Sequence, residues 1–255
     1  MSGRSPERGV ALVTGAGRRI GRAIALDLAA KGFTVAVHFS GSASEADAVA
    51  AEIRSRGGLA APLRADLADA AAIAGLIPDC AARLGAPIVL VNNASIFLDD
   101  RICGLDMAQW DRHMAVNLRA PVFLAQAFAA QLPAGAHGNI VNIIDQRVWR
   151  PTPQFFSYSV SKAGLWAVTQ RLAQAMAPRI RVNAVGPGPV LRSIHQSASD
   201  FDAEAGATLL GRGTTPEEIA AAIRFILDAP AMTGQMIALD GGQHLAWRTP
   251  DIIGD

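Results

Sequence analysis

Tyr158 and Lys162 lie four residues apart in the stretch Phe155-Phe156-Ser157-Tyr158-Ser159-Val160-Ser161-Lys162. On a helix, positions i and i+4 share a face one turn apart, so a phenol and an ammonium can point into one cleft. A fixed cation favours phenolate and lowers the phenol pKa from about 10, which makes Tyr158 a proton donor near neutral pH. Such a pair also arises by accident on exposed helices, so it carries weight only with further residues beside it.

The first support is the turn Thr14-Gly15-Ala16-Gly17-Arg18-Arg19-Ile20-Gly21. It comes after the apolar run 10–13 and precedes a helical pattern over 22–31, closed by Gly32 and a strand over 33–39. Strand, glycine turn, helix and strand within about 30 residues form the βαβ unit that binds dinucleotides. The glycines let backbone approach the pyrophosphate, and the helix N-terminus presents unpaired N–H groups to it. After the second strand the chain reads His38-Phe39-Ser40-Gly41-Ser42, with no acid before Glu45. Sites that take NAD place a carboxylate there for the ribose 2′-hydroxyl. An uncharged, hydroxyl-rich end containing His38 and Ser40, faced by Arg18 and Arg19, suits a 2′-phosphate instead, so NADPH is the expected cofactor. His38 is equally readable as a plain strand residue facing a helix.

The elements that must position these residues continue the alternation. Helical patterns run over 43–56, 70–84, 107–131, from Tyr158 to Pro178, and over 216–227 with Thr214 or Thr215 as cap. Strand patterns run over 59–63, 88–91, 139–144, 180–185 and 236–239. With the first two, this makes seven strands alternating with helices, and the expected fold is a single-domain α/β Rossmann fold, a seven-stranded parallel doubly wound sheet flanked by helices. Residues 1–255 read as one domain, with 1–8 a flexible N-terminus and 190–212 an irregular or weakly helical substrate loop. Net charge is +1, so nothing recruits nucleic acid or an anionic membrane. Two cysteines, Cys80 and Cys103, make neither a disulfide framework nor a metal cluster, which fits a reducing, cytoplasmic setting. Residues 1–9 lack the apolar core of a signal peptide, and no apolar run is long enough to span a bilayer. His113 and His195 have no ligand partners at useful spacing, and Cys103 has no histidine to activate it. Trp149 either lines the substrate mouth or packs beneath a loop; the tail from Trp247 to Asp255 is a candidate cover for a pocket.

The glycine turn, Asn92-Asn93-Ala94, Asn117, Tyr158 with Lys162, and Pro187-Gly188, in this order, resemble the short-chain dehydrogenase/reductase family over essentially the whole chain. The resemblance implies that Gly15, Arg18, Arg19, Ile20 and Gly21 hold the pyrophosphate, and that Asp66 and Leu67 meet the adenine side. It implies that Asn93, Ala94 and Ser95 lie along the cofactor, that Lys162 holds the ribose beside Tyr158, and that Pro187, Gly188 and Val190 face the nicotinamide. Asn117 would support a proton-relay water. It also implies a homotetramer or homodimer, built on the long helices over 107–131 and 158–177.

One position departs from the family pattern. The serine usual thirteen residues before the tyrosine is here Asp145. An ionised carboxylate cannot donate the hydrogen bond that polarises a ketone. The set Arg19, Ser95, Phe97, Asp145, Tyr158 and Lys162 is similar to the pteridine reductase branch, including bacterial dihydromonapterin and dihydrofolate reductases. That similarity implies a pterin-like ring stacked between Phe97 and the nicotinamide. Arg19 and Ser95 would hold its polar edge, and Asp145 would relay a proton with Tyr158. Two alternatives stand beside this reading: a carbonyl reductase of a ketone or 3-oxoacyl thioester, and a catalytically silent NADPH-binding sensor or scaffold.

Overall fold

The computed structural model describes residues 8–193 and 196–247. Seven parallel strands form one sheet: β1 (Val10–Val13), β2 (Thr34–Phe39), β3 (Ala60–Arg64), β4 (Pro87–Asn92), β5 (Gly138–Ile143), β6 (Ile180–Pro187) and β7 (Met236–Leu239). Their spatial order is β3-β2-β1-β4-β5-β6-β7. The central strands are apolar without alternation because both faces are covered. Side chains along a strand point alternately to the two sides. Ala11 and Val13 therefore enter one core layer with α1 (Arg19–Ala30), α2 (Ala43–Ser55) and α8 (Pro216–Asp228). Val10 and Leu12 enter the other, with α3 (Ala70–Leu84) and α5 (Ala120–Gln131). The expected doubly wound α/β domain is what the chain forms.

Local sequence accounts for several boundaries. Thr215 and Glu218 make a reciprocal capping box at the start of α8, with Pro216 in its first turn. Asp69 caps α3 by accepting from Ala71 N at 2.9 Å. Where the sequence suggested one helix over 107–131, the chain instead forms α4 (Met107–Met114), a π turn over Ala115–Arg119, and α5. A π turn inserts one residue into the helical repeat and re-aims the helix beyond it. Hydropathy alone cannot reveal it, because the apolar stripe continues through. The stretch after β6, expected to be irregular or weakly helical, contains α7 (Ala198–Gly206), started by a Ser197–Asp200 capping box. Among the described residues no helix is long and apolar enough to cross a membrane. The expectations for residues 1–7, His195 and the tail 248–255 lie outside the described residues.

The strand order reverses at β1, which has β2 on one side and β4 on the other. In open parallel sheets ligands enter the crevice at the carboxyl ends of the strands at such a switch point. Gly15 and Asn93 sit there.

Candidate active site

α6 (Phe156–Met176) carries Tyr158 and Lys162, and its start is fixed by buried polar contacts. Phe155 turns the chain in at φ 52°. Asp100 accepts from Ser157 N at 3.0 Å and also from the Ser157 hydroxyl. The same hydroxyl lies 2.8 Å from His113 Nδ1. His113 Nε2 accepts from Leu98 N at 3.3 Å, so the proton sits on Nδ1 and faces Gln109 O at 3.0 Å. His113 is thus a strut beneath the site. No cluster of metal-ligating side chains occurs among the described residues.

Tyr158 is buried, and its hydroxyl donates to Asp145 Oδ2 at 2.9 Å. Asp145 lies just beyond the end of β5 and caps a short 3-10 turn, Gln146–Val148, where its Oδ1 accepts from Arg147 N at 2.8 Å. Lys162 Nζ donates to Ile143 O at 2.8 Å and stands 5.6 Å from the Tyr158 ring centre. Here the structure corrects an expectation. Burial first, and then the Asp145 carboxylate, push the Tyr158 phenol well above its ordinary value, while burial brings Lys162 down to about 8. The lysine does not produce a phenolate; the proton stays on the phenol, held toward Asp145.

Asn117 lies in the π turn, and its amide is fully engaged. Oδ1 accepts from Ile96 N at 2.8 Å and Ser95 Oγ at 3.2 Å, while Nδ2 donates to Ile96 O at 2.9 Å and Ser161 Oγ at 3.1 Å. Ser161 Oγ in turn donates to Tyr158 O at 2.6 Å. The side chain therefore clamps the loop after β4 to α6.

The glycine turn is built to bring backbone close to a ligand. Gly15 has φ +63°, and Asn93 Nδ2 reaches Thr14 O at 2.8 Å and Gly15 O at 3.1 Å. A Cβ on Gly21 would sit 2.1 Å from Gly15 O, and one on Gly188 2.7 Å from Asp240 Cα. The first turn of α1 has no side-chain cap and no acid, so its N–H groups remain available to an anion. These features fit a dinucleotide pyrophosphate. The cleft over them, about 790 Å³, brings together Gly15, Arg18, Arg19, Ile20, Gly21, His38, Ser40, Asp66, Leu67, Asn93, Ala94 and Ser95. Arg112 of α4 also lines it. No motif flags this residue, because only the packing of α4 in the folded chain brings it there.

His38 needs a correction of role. Gly15 N donates to its Nδ1 at 3.0 Å, so that nitrogen is unprotonated, and Nε2 donates to Ala65 O at 3.1 Å. Burial pushes its pKa down to about 4. Both ring nitrogens are spent on backbone, so His38 pins the glycine turn from below rather than offering a nitrogen to a phosphate.

A second cavity of about 260 Å³ adjoins the first and contains Arg19, Ser95, Phe97, Asp145, Tyr158, Lys162, Pro187, Gly188 and Val190. The structure therefore gathers the residues predicted for substrate and nicotinamide. Arg19, itself at φ 52°, crosses the opening and donates to Leu191 O and Arg192 O, each at 2.9 Å. One face of the Phe97 ring is stacked on Phe155 at 4.3 Å, and its plane meets Tyr158 nearly at right angles. Only the other face of Phe97 remains for a substrate. Sequence reasoning missed Arg147, Phe201 and Glu204, which also line this cavity. Trp149 lines neither cavity; it is exposed and packs edge-on against His244 at 5.1 Å. Cys103 is exposed.

A family model described as enoyl-(acyl carrier protein) reductase matches residues 15–244. The chain belongs to the short-chain dehydrogenase/reductase family, and fold and site together define an oxidoreductase of that family. Among curated relatives it is 36% identical over 239 residues to a 3-oxoacyl-[acyl-carrier-protein] reductase of Synechocystis, covering 91% of this chain and 96% of the relative. Within the family its structural likeness is to the pteridine reductase-like branch. FolM alternative dihydrofolate reductase 1 from Brucella suis, in complex with NADP, is 49% identical with a TM-score of 0.94, covering 98% of this chain and 100% of that one. The corresponding Brucella canis protein, also complexed with NADP, has the same identity and TM-score and covers 99% and 100%.

Proposed function

We propose that this protein is an NADPH-dependent reductase of a pterin-like ring, acting on a C=N bond of the dihydropterin or dihydrofolate type. The observation that carries the reading is the Asp145 carboxylate 2.9 Å from the Tyr158 hydroxyl, where a carbonyl reductase needs a hydroxyl donor. A carboxylate only accepts hydrogen bonds, and a nitrogen heterocycle offers N–H donors where a ketone offers none. The 49% identity to FolM proteins over the full chain supports the same choice. Arg18 and the end of β2, where Ser40-Gly41-Ser42 carry no acid and Glu45 is the first to follow, support NADPH over NADH, as does the NADP bound to those neighbours.

When bound, the nicotinamide supplies the hydride that adds to the ring carbon. Tyr158 gives its phenolic proton to the ring nitrogen, so C=N becomes CH–NH. A phenol whose pKa is raised remains protonated and ready to donate throughout the neutral range. Asp145 orients that hydroxyl and accepts from ring N–H groups. Phe97 offers its free face to the heterocycle, and Arg19 and Ser95 meet its polar edge. Lys162, anchored on Ile143 O, holds the ribose side of the cleft.

A second reading, reduction of a ketone or 3-oxoacyl thioester, draws on the 36% identical acyl-carrier-protein reductase. The test is NADPH oxidation with dihydrobiopterin, dihydromonapterin, dihydrofolate and a set of ketones, beside Asp145→Ala. Pterin turnover that collapses in the variant is the expected result. Turnover of ketones alone overturns the pterin assignment. NADPH binding without turnover of anything points to a silent binding protein.

A further inference from the structure

Arg147 is the cation placed closest to the proton-donating pair. Its Nη1 lies 3.2 Å from Asp145 Oδ2, the same oxygen that accepts from Tyr158. Its Nη2 lies 3.7 Å from Glu204 Oε1 on α7. Its guanidinium covers the Phe155 ring at 5.6 Å, and its Nε is buried without a protein partner. Glu204 is fixed in turn by Gln196 at 2.9 Å and Gln243 at 3.4 Å, and Arg150 holds Gln243 O at 3.0 Å. A guanidinium is charged at every accessible pH and suits bridging two carboxylates.

We propose that Arg147 is the counter-cation of Tyr158 and Asp145: a positioning residue, held between Asp145 and Glu204, that offsets the negative charge left when the phenol yields its proton. This rests on Tyr158 being the donor. Without such a cation, a phenolate would form 2.9 Å from a carboxylate, leaving Lys162 and Arg19, both hydrogen-bonded to backbone carbonyls, to balance two anions. The charged or titratable groups facing the pair are Arg147 on its own turn, Lys162 of α6, Glu204 of α7, Arg19 at the start of α1, and His113 of α4, whose ring stands edge-on to Tyr158 at 6.5 Å. Burial opposes the Arg147 charge, yet Asp145, Tyr158 and Glu204 together raise its pKa above the ordinary value.

Tyr158 is the only tyrosine in the chain, so near-ultraviolet tyrosinate absorbance reports this one group without any substrate. The experiment compares Asp145→Asn, in which the phenol ionises more readily, with the same protein carrying Arg147→Met, Arg147→Lys or Glu204→Gln. NADPH binding and circular dichroism establish that each variant is folded. Adding Arg147→Met is expected to lower the Tyr158 ionisation constant at least about tenfold, Arg147→Lys to restore most of it, and Glu204→Gln to raise it. Identical titrations with and without the Arg147 charge overturn the proposal, as does a fall with Glu204→Gln. Glu204 is partly exposed, so its variant keeps the test alive if Arg147→Met does not fold. Because no substrate enters the assay, its failure is distinct from failure of the pterin assignment.

Discussion

Protonating His38 should cost this protein both stability and its grip on the cofactor. In the folded chain the imidazole titrates at about 4, because burial excludes the charged form, whereas an exposed histidine titrates at 6.5. Below 6.5 the unfolded chain takes up a proton that the folded chain refuses. The contribution of this group is therefore intact above pH 6.5 and is lost progressively as pH falls toward 4. At ~1.4 kcal/mol per pH unit, that gap amounts to about 3 kcal/mol. For a chain of this size it corresponds to roughly 6–12 °C in melting temperature. Protonation also removes the Nδ1 lone pair that accepts from Gly15 N, but the folded chain takes up that proton only as pH nears 4, so NADPH affinity should hold through the window in which stability declines and fall only at its acid end. The assay is thermal unfolding of wild type and His38→Gln from pH 7 to pH 4, with NADPH fluorescence titrations alongside. Glutamine can accept and donate but does not titrate. The variant is expected to be less stable at pH 7 and to lose about 3 kcal/mol less than wild type on acidification. Parallel curves for the two proteins would refute the assignment of His38 as a neutral pin.

Further expectations concern catalysis and the cradle. Tyr158→Phe, which removes the proton and little else, should lower kcat by about 10²–10⁴ while NADPH binding stays close to wild type. Gly21→Ala forces a Cβ against Gly15 O and should cost about 1–3 kcal/mol in denaturant unfolding, with NADPH affinity down at least about tenfold. Burial brings Lys162 to about 8, so kcat/KM should show an alkaline limb near that pH, and Lys162→Arg should move the limb out of range. Phe97→Ala should raise KM for a flat heterocycle more than it lowers kcat, since it removes a stacking face rather than a reacting group.

Much of the fold was legible in the sequence because parallel strands buried on both faces read as plain apolar runs, and β1 and β4 are such runs. The glycine turn was legible for a similar reason: close backbone approach leaves only glycine admissible at Gly21. The helix over 107–131 misled because a π turn does not interrupt apolarity, yet that turn is what delivers Asn117 to the loop after β4. Arg147 stayed hidden although it stands two residues from Asp145. An arginine in a short turn is ordinarily solvated, and nothing in its neighbours announces Glu204, fifty-odd positions later on α7.

The sequence by itself determined the chemical inventory: a phenol and an ammonium one helical turn apart, an acid where a hydroxyl is usual, a glycine turn after the first strand, and no acid directly after the second. These are local facts, set by spacing and residue type. The tertiary structure decided what state the inventory is in. Burial of Tyr158 against Asp145 keeps the proton on the phenol, although the i, i+4 lysine alone argued for the reverse. Burial of His38 between Gly15 N and Ala65 O turns a candidate phosphate contact into a structural pin. The physical reason is common to both. A pKa depends on what surrounds a group in every direction, and a linear chain states only its neighbours on either side.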